Sequence, residues 1–388
     1  MGLFKMRSIL LLFFGCALGC HSPKPFYSEI EYGWKDHAVP PQNHLARIVY
    51  LLGDAGETPE KSAPVINTIK HHIVLDTAKN DIVFLGDNIY PKGLPDKSSK
   101  TRIQAETRIY PQLELAKYIT GKAIFLPGNH DWAGGNKSGS EMVAMEEVFI
   151  EEFLNKGNTF LPDNGCPGPA VMDLTDNLVI VAIDVQWWIN QGRESNNLKC
   201  NPNSLPDFIQ KIKSIVRKYR GKTILIVAHH PLESNGNHGG YFSVKPHLFP
   251  LTHIQPSLFI PLPILGTLYV MGRKYLGHAQ DLSHPNYKDF IKEIKNGLTG
   301  AQKIIYAAGH EHNLQYFNNG EFHTIISGSA SKTTWAARGK GALFTYSTKG
   351  FAKLILTHEG ESWVEFWKPS TSSKNGELVF KKKLFGLE

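Results

Sequence analysis

Ile82-Val83-Phe84-Leu85-Gly86-Asp87-Asn88-Ile89-Tyr90 decides how the rest of the chain is read. The first four residues form an unbroken apolar run, too short for a helix and without polar alternation, as in a strand buried on both faces. Gly86 ends the run and opens a loop, and the ends of strands are where open α/β sheets bind their ligands. Asp87 offers two hard carboxylate oxygens, enough to bridge two cations. Tyr90, three residues on, offers a phenol that becomes a strong anionic ligand beside a trivalent metal. Taken alone, the stretch reads more readily as a turn with a capping carboxylate than as a metal site.

The same pattern recurs on either side. Upstream, an apolar strand at 47–52 runs into Gly53-Asp54-Ala55-Gly56, with a helix expected over 59–76. Downstream, after a helical segment from Thr101 that Pro111 should interrupt, a strand at 123–126 runs into Pro127-Gly128-Asn129-His130-Asp131-Trp132, and a helix is expected over 140–155. A strand at 223–228 delivers His229-His230-Pro231, with His238-Gly239-Gly240 close behind, and a strand at 303–308 delivers Gly309-His310-Glu311-His312. Strand, loop and helix in repetition point to an α/β fold. Between these units, residues 204–220 carry one apolar face with Ser204 and Asp207 as a capping pair and Gly221 as the stop, which is a structural helix. From 313 to 367 short strands alternate with turns, so an antiparallel portion should close the domain.

Length and composition are those of a globular protein, and 388 residues fit one large α/β unit. Lys5 and Arg7 precede the apolar run 9–14, and small residues lead to Cys20, the layout of a secretory signal. The run is too short to span a bilayer. Gly19 before Cys20 resembles a bacterial lipoprotein processing site, although Ala17 stands where that pattern prefers Leu; a plain signal peptide is the alternative. The expected organisation is a signal at 1–19, a lipid-anchored flexible tether at 20–44 beginning at Cys20, a main domain at 45–370 and a tail at 371–388. Such a chain would be exported and held at the bacterial cell envelope, facing the periplasm or the cell surface. Removing 1–19 takes away Lys5 and Arg7 and no acid, so the formal charge falls from +7 to +5. No Arg-rich stripe with interleaved aromatics appears, which argues against nucleic acid as a partner. Cys166 and Cys200 remain, and two cysteines in an exported chain suggest one disulfide between loops 163–169 and 195–203, with free thiols as the alternative.

Residues 241–286 break the pattern. The segment 249–270 is apolar but carries Pro250, Pro256, Pro261 and Pro263, so it is not a continuous spanning helix. It reads as an insert: a flap packed on the core, a hydrophobic lid near the substrate entrance, a membrane-resting surface or a homodimer contact.

Taken together, the strand ends supply Asp54, Asp87, Tyr90, Asn129, His229, His310 and His312. That ordered set of motifs resembles the calcineurin-like metallophosphoesterases and, within them, the purple acid phosphatases of the small tartrate-resistant type. Gly56 stands where many other members carry a metal-binding His, and Tyr90 supplies the missing ligand. The resemblance implies a sandwich of two mixed β-sheets flanked by helices. It also implies two metal ions, Fe3+ held by Asp54, Tyr90 and His312, and a divalent Fe2+, Zn2+ or Mn2+ held by Asn129, His229 and His310, with Asp87 bridging. Hard phenolate and carboxylate suit the trivalent ion; imidazoles and a neutral amide suit the divalent one. The implied reaction is hydrolysis of a small-molecule phosphate ester, an acid phosphatase cleaving monoesters by attack of a metal-bound hydroxide, with His130 and His238 as candidate catalytic groups and His230 as an orienting residue. The alternatives are a phosphodiesterase or nucleotide pyrophosphatase with the same metals, and a non-catalytic surface-binding lipoprotein.

Overall fold

The computed structural model describes residues 24–190 and 200–386, so the expected signal and Cys20 lie outside the described residues. In chain order the strands are β1 Phe26–Tyr27, β2 Leu45–Leu52, β3 Lys79–Phe84, β4 Ala123–Phe125, β5 Ala170–Thr175, β6 Leu178–Ala182 and β7 Thr223–Ala228, then β8 Ile304–Ala308, β9 Leu314–Asn318, β10 His323–Ser327, β11 Ala342–Tyr346, β12 Phe351–Thr357, β13 Ser362–Lys368 and β14 Glu377–Phe385. They form two sheets, ordered β1-β11-β9-β10-β8-β7-β6-β5 and β14-β13-β12-β2-β3-β4. Both are mixed: β2, β3 and β4 run parallel, as do β6, β7, β8 and β10, while the outer strands pair antiparallel.

Alternation along each strand explains the layering. Val49, Leu51, Val83 and Leu85 point into the core between the sheets, where they meet Leu225, Val227, Ile305 and Ala307. Ile48, Tyr50, Ile82 and Phe84 point the other way, against apolar residues of the flanking helices. The helices Pro59–Leu75 and Arg102–Ala116 contact each other, as do Leu205–Lys218 and Pro285–Leu298. Ser204 caps its helix by accepting the Asp207 N–H. This is the sandwich of two mixed sheets flanked by helices that the family resemblance implies.

Three expectations change. The helix Arg102–Ala116 runs through Pro111 without a break. Ile109, Leu113 and Leu115 are fully buried, and their packing outweighs the cost of about 3 kcal/mol for an interior proline. The tether expectation fails from residue 24 onward: β1 pairs with β11, and Trp34 is buried against Phe380. The expected 371–388 tail carries strand β14, which pairs antiparallel with β13 and buries Val379 and Phe380. Lys381, Lys382 and Lys383 hide that strand in the sequence, since long lysine stems lie along a sheet while their charges find partners. Lys382 reaches the buried Glu31 at 2.6 Å, joining the two segments read as tether and tail. Cys166 and Cys200 form a disulfide.

Candidate metal centre

The parallel strands of both sheets end at one edge of the sandwich, and there the quoted loops meet. Asp54 and Asp87 follow β2 and β3, Asn129 follows β4, His229 follows β7, and His310 and His312 follow β8. Backbone hydrogen bonds tie the loops together: Asp54 N donates to Gly86 O (3.0 Å), Gly56 N to Asp87 O (3.1 Å) and Tyr90 N to Gly56 O (3.0 Å). The approach is close enough that a Cβ on Gly56 would lie 2.3 Å from the Asn88 carbonyl carbon. Asp54, Asp87 and His310 take left-handed backbone conformations with φ of 61°, 55° and 67°. Each such conformation costs about 1–3 kcal/mol in a residue with a side chain and persists only where its surroundings impose it.

The side chains form two groups. In the first, Asp54, Asp87 and His312 bring one donor atom each to within 4.8 Å of one another. The Tyr90 hydroxyl joins them, 2.9 Å from Asp54 Oδ1 and 3.2 Å from His312 Nε2. In the second group, Asn129 Oδ1 lies 3.1 Å from His229 Nε2 and 3.0 Å from His310 Nδ1, and those two nitrogens are 3.2 Å apart. Asp87 lies between the groups, with Oδ1 3.4 Å from His229 Nε2. All but His312 are buried.

The donor chemistry fits cations. His229 Nδ1 donates to Leu85 O (2.7 Å) and His310 Nε2 donates to Gln280 O (3.1 Å). In the neutral rings this leaves lone pairs on His229 Nε2 and His310 Nδ1, the atoms that converge on the Asn129 amide oxygen. Three acceptors within hydrogen-bond distance lack a donor among themselves, and a cation answers that need. The titration behaviour agrees. Burial opposes charge on His229, but Asp87 and Asp54 prevail and raise its pKa. Carboxylates that hold a proton there would hold a metal ion in its place. Burial and the neighbouring His238, His230 and His229 keep His310 far below the ordinary range, hence neutral. Burial, then Asp54 and Asp87, push the Tyr90 phenol well up, so it keeps its proton unless a highly charged cation displaces it.

The other predicted residues surround this cluster. His130 is partly exposed at the rim, with Nδ1 2.6 Å from Pro91 O, Nε2 3.9 Å from Asp87 Oδ2 and its ring edge-on to Tyr90. His238 presents Nδ1 to Asp281 Oδ1 at 3.0 Å, and its ring centroid lies 4.1 Å from that of His310. His230 is buried beneath, with Nε2 2.7 Å from Gln280 Oε1.

Four groups at the site escaped the sequence reading. Gln280 holds His310 with its backbone oxygen and His230 with its side chain. Asp281 is held by Arg273 as well as His238; burial raises its pKa, but these two partners prevail and lower it to about 2. Glu311, inside a quoted motif, accepts from Ser234 Oγ (2.9 Å) and His238 N (2.8 Å), and so anchors the loop that carries His238. Asp131 accepts from Gly128 N, Asn88 N and Ile89 N, locking two ligand loops together, and burial followed by the Asp87 charge pushes its pKa up to about 7. The only sequence signal for Gln280 and Asp281 is a polar island, 278–281, after a long apolar stretch.

Residues 49–255 match the calcineurin-like phosphoesterase family. No curated protein matches the chain. Among solved structures, GAP50, the anchor in the inner membrane complex of Plasmodium, is similar with a TM-score of 0.53 and 15% identity over 88% of this chain and 89% of that one. The purple acid phosphatase PPD1 from yellow lupin (Lupinus luteus) seeds gives 0.50 and 14% over 89% and 54%, and PhoD gives 0.54 and 10% over 87% and 69%. At these identities the likeness is one of fold. The family match spans more than half of the chain and contains Asp54, Asp87, Asn129 and His229, so the protein belongs to the calcineurin-like phosphoesterases, metal-dependent hydrolases of phosphoric esters.

Proposed function

We propose that the chain is a phosphatase of the purple acid phosphatase type that cleaves small phosphomonoesters. The observation that carries this reading is the division of the donors into an Asp54, Tyr90 and His312 group and an Asn129, His229 and His310 group, with Asp87 between them. The first would hold Fe3+ and the second Fe2+, Zn2+ or Mn2+, matching hard anionic oxygen to the trivalent ion and imidazole to the divalent one. When bound, the pair supplies Lewis-acid charge that acidifies water and neutralises the phosphate.

The protein's own groups handle position and protons. Asp281 accepts from His238 Nδ1, which fixes the ring and, in its doubly protonated form, leaves the Nε2 proton for the leaving oxygen. His130, its Nδ1 donating to Pro91 O, is placed to donate to a phosphate oxygen through Nε2 when the ring carries both protons. Glu311 restrains the His238 loop from below. Export and acylation at Cys20 belong to the same reading, supported by the signal-like residues 1–20 and by the Cys166–Cys200 disulfide, which needs an oxidising compartment. Mass analysis of the mature N-terminus tests them; an unmodified start elsewhere rejects the anchor.

The decisive experiment is metal analysis with the visible spectrum of the oxidised protein and of Tyr90→Phe. About two metals per chain and a purple tyrosinate-to-iron band lost in the variant support the assignment. A colourless protein with two other metals rejects the ferric centre and keeps the hydrolase. Faster turnover of a chromogenic diester than of the monoester moves the assignment to a phosphodiesterase.

A further inference from the structure

The helix Pro263–Tyr275 has two unlike sides. On one, Arg273 Nε donates to Asp281 Oδ2 at 2.8 Å, and through Asp281 the helix is seated on His238. The other side stands free. Of the 22 exposed large hydrophobic side chains among the described residues, ten fall between Ile254 and Leu276, where Ile254, Ile264 and Leu276 are 80%, 77% and 76% exposed. Such a concentration on a folded chain marks a docking surface rather than scattered surface apolarity.

The charge pattern identifies the partner. From Ser234 through Gln280 the chain has no Asp or Glu, while Lys245, Arg273 and Lys274 are basic. Arg273 is engaged by Asp281, but Lys245 and Lys274 are exposed beside the patch, each with its ammonium over an aromatic ring, Phe259 at 4.9 Å and Tyr275 at 5.6 Å. Leucine and isoleucine flanked by tyrosine and lysine, without acids, is the composition of a surface that rests on lipid headgroups. We propose that the outward face of residues 254–276 docks on a lipid bilayer bearing anionic headgroups. The apolar side chains enter the acyl boundary, and Lys245 and Lys274 meet the phosphates. A second copy of this chain fits less well, since a two-fold contact brings the lysines of both copies together with no acid in the segment to neutralise them. A lid over the substrate fits less well too, because the helix already contacts the site through Arg273 and turns its apolar side away. Docking in this way sets the His238 side of the catalytic pocket beside the membrane.

The test reads the insert itself. A nitroxide is attached at Leu268→Cys in the full chain, with Cys16 and Cys20 changed to serine, and its collisions with oxygen and with a water-soluble nickel chelate are compared. Addition of phosphatidylglycerol–phosphatidylcholine vesicles should raise the oxygen collisions and suppress those with nickel. A label at Val148→Cys, exposed on another helix, should not respond. Lys274→Glu should weaken partition to the anionic vesicles by about fivefold or more. A Leu268 label that stays in water while the chain binds vesicles elsewhere, or does not bind, overturns the proposal. Immobilisation that rises with protein concentration in the absence of lipid also overturns it, in favour of a second copy.

Discussion

At the metal centre Asp54, Asp87 and His310 are 0%, 1% and 3% exposed, whereas in the insert that borders it Ile264 and Leu276 are 77% and 76% exposed. Polar groups lie inside in one region and apolar groups lie outside in the other, so both depart from the ordinary partition between core and surface. Neither arrangement lowers the free energy of the isolated chain. The first concentrates acceptors that lack donors, and the second leaves apolar area in water. Two neighbouring departures of opposite sign call for two kinds of partner, cations for one and, in the docking we propose, a lipid surface for the other. Arg273 connects them, since it sits on the insert helix and bonds the carboxylate that holds His238.

The sharpest way to break this contrast is at the centre. Asp87→Asn should lower kcat on a monoester by about 10³, the scale of losing a preorganised electrostatic stabiliser, and bring bound metal below two per chain. Steady-state kinetics with metal analysis checks both, and an active variant with full metal content would remove Asp87 from the bridging position. Gly56→Ala forces a Cβ onto the Asn88 backbone, so it should destabilise by about 3 kcal/mol in urea unfolding, with a fall in metal affinity.

Arg273→Gln tests the connection. It should slow turnover of poor leaving groups about tenfold and good ones much less, as loss of a positioning partner does. It should also change the acid limb of stability. Asp281 has its pKa lowered to about 2, so its contribution is fully present above the unfolded value near 4 and is lost as pH falls through about 2. That term, about 2 kcal/mol, should shrink in the variant, as read from urea midpoints of metal-stripped protein at pH 5 and pH 2.5. The smallest effect belongs to the insert's surface. Leu268→Ser should alter stability by no more than about 0.5 kcal/mol, because the side chain is already in water; a larger loss would mean that the patch is core.

Much of this could be read in the chain. Apolar runs at 82–85 and 223–228 became β3 and β7 because runs so short do not make a buried helix but suit a strand covered on both faces. Strand-end position is local information and drew attention to the loops that carry Asp54, Asp87, Tyr90, Asn129, His229, His310 and His312, while the family resemblance chose these seven over neighbours such as Asp131, His230 and Glu311. Pro111 misled because its helix survives on burial supplied by distant segments, and β14 was hidden because lysines on a sheet resemble lysines in a tail.

What the sequence determined by itself, then, is what depends on neighbours along the chain: the alternation that forms strands, the glycines that permit close loops, and the chemical type of each candidate ligand. Tertiary structure alone decided which atoms converge. It set the lone pairs of His229 Nε2 and His310 Nδ1 on one oxygen, brought Gln280, Asp281 and Arg273 to the histidines, and turned the apolar side of the insert to solvent. The reason is physical: hydrogen-bond direction, desolvation and charge coupling act across a few ångströms of space, whatever the separation in sequence.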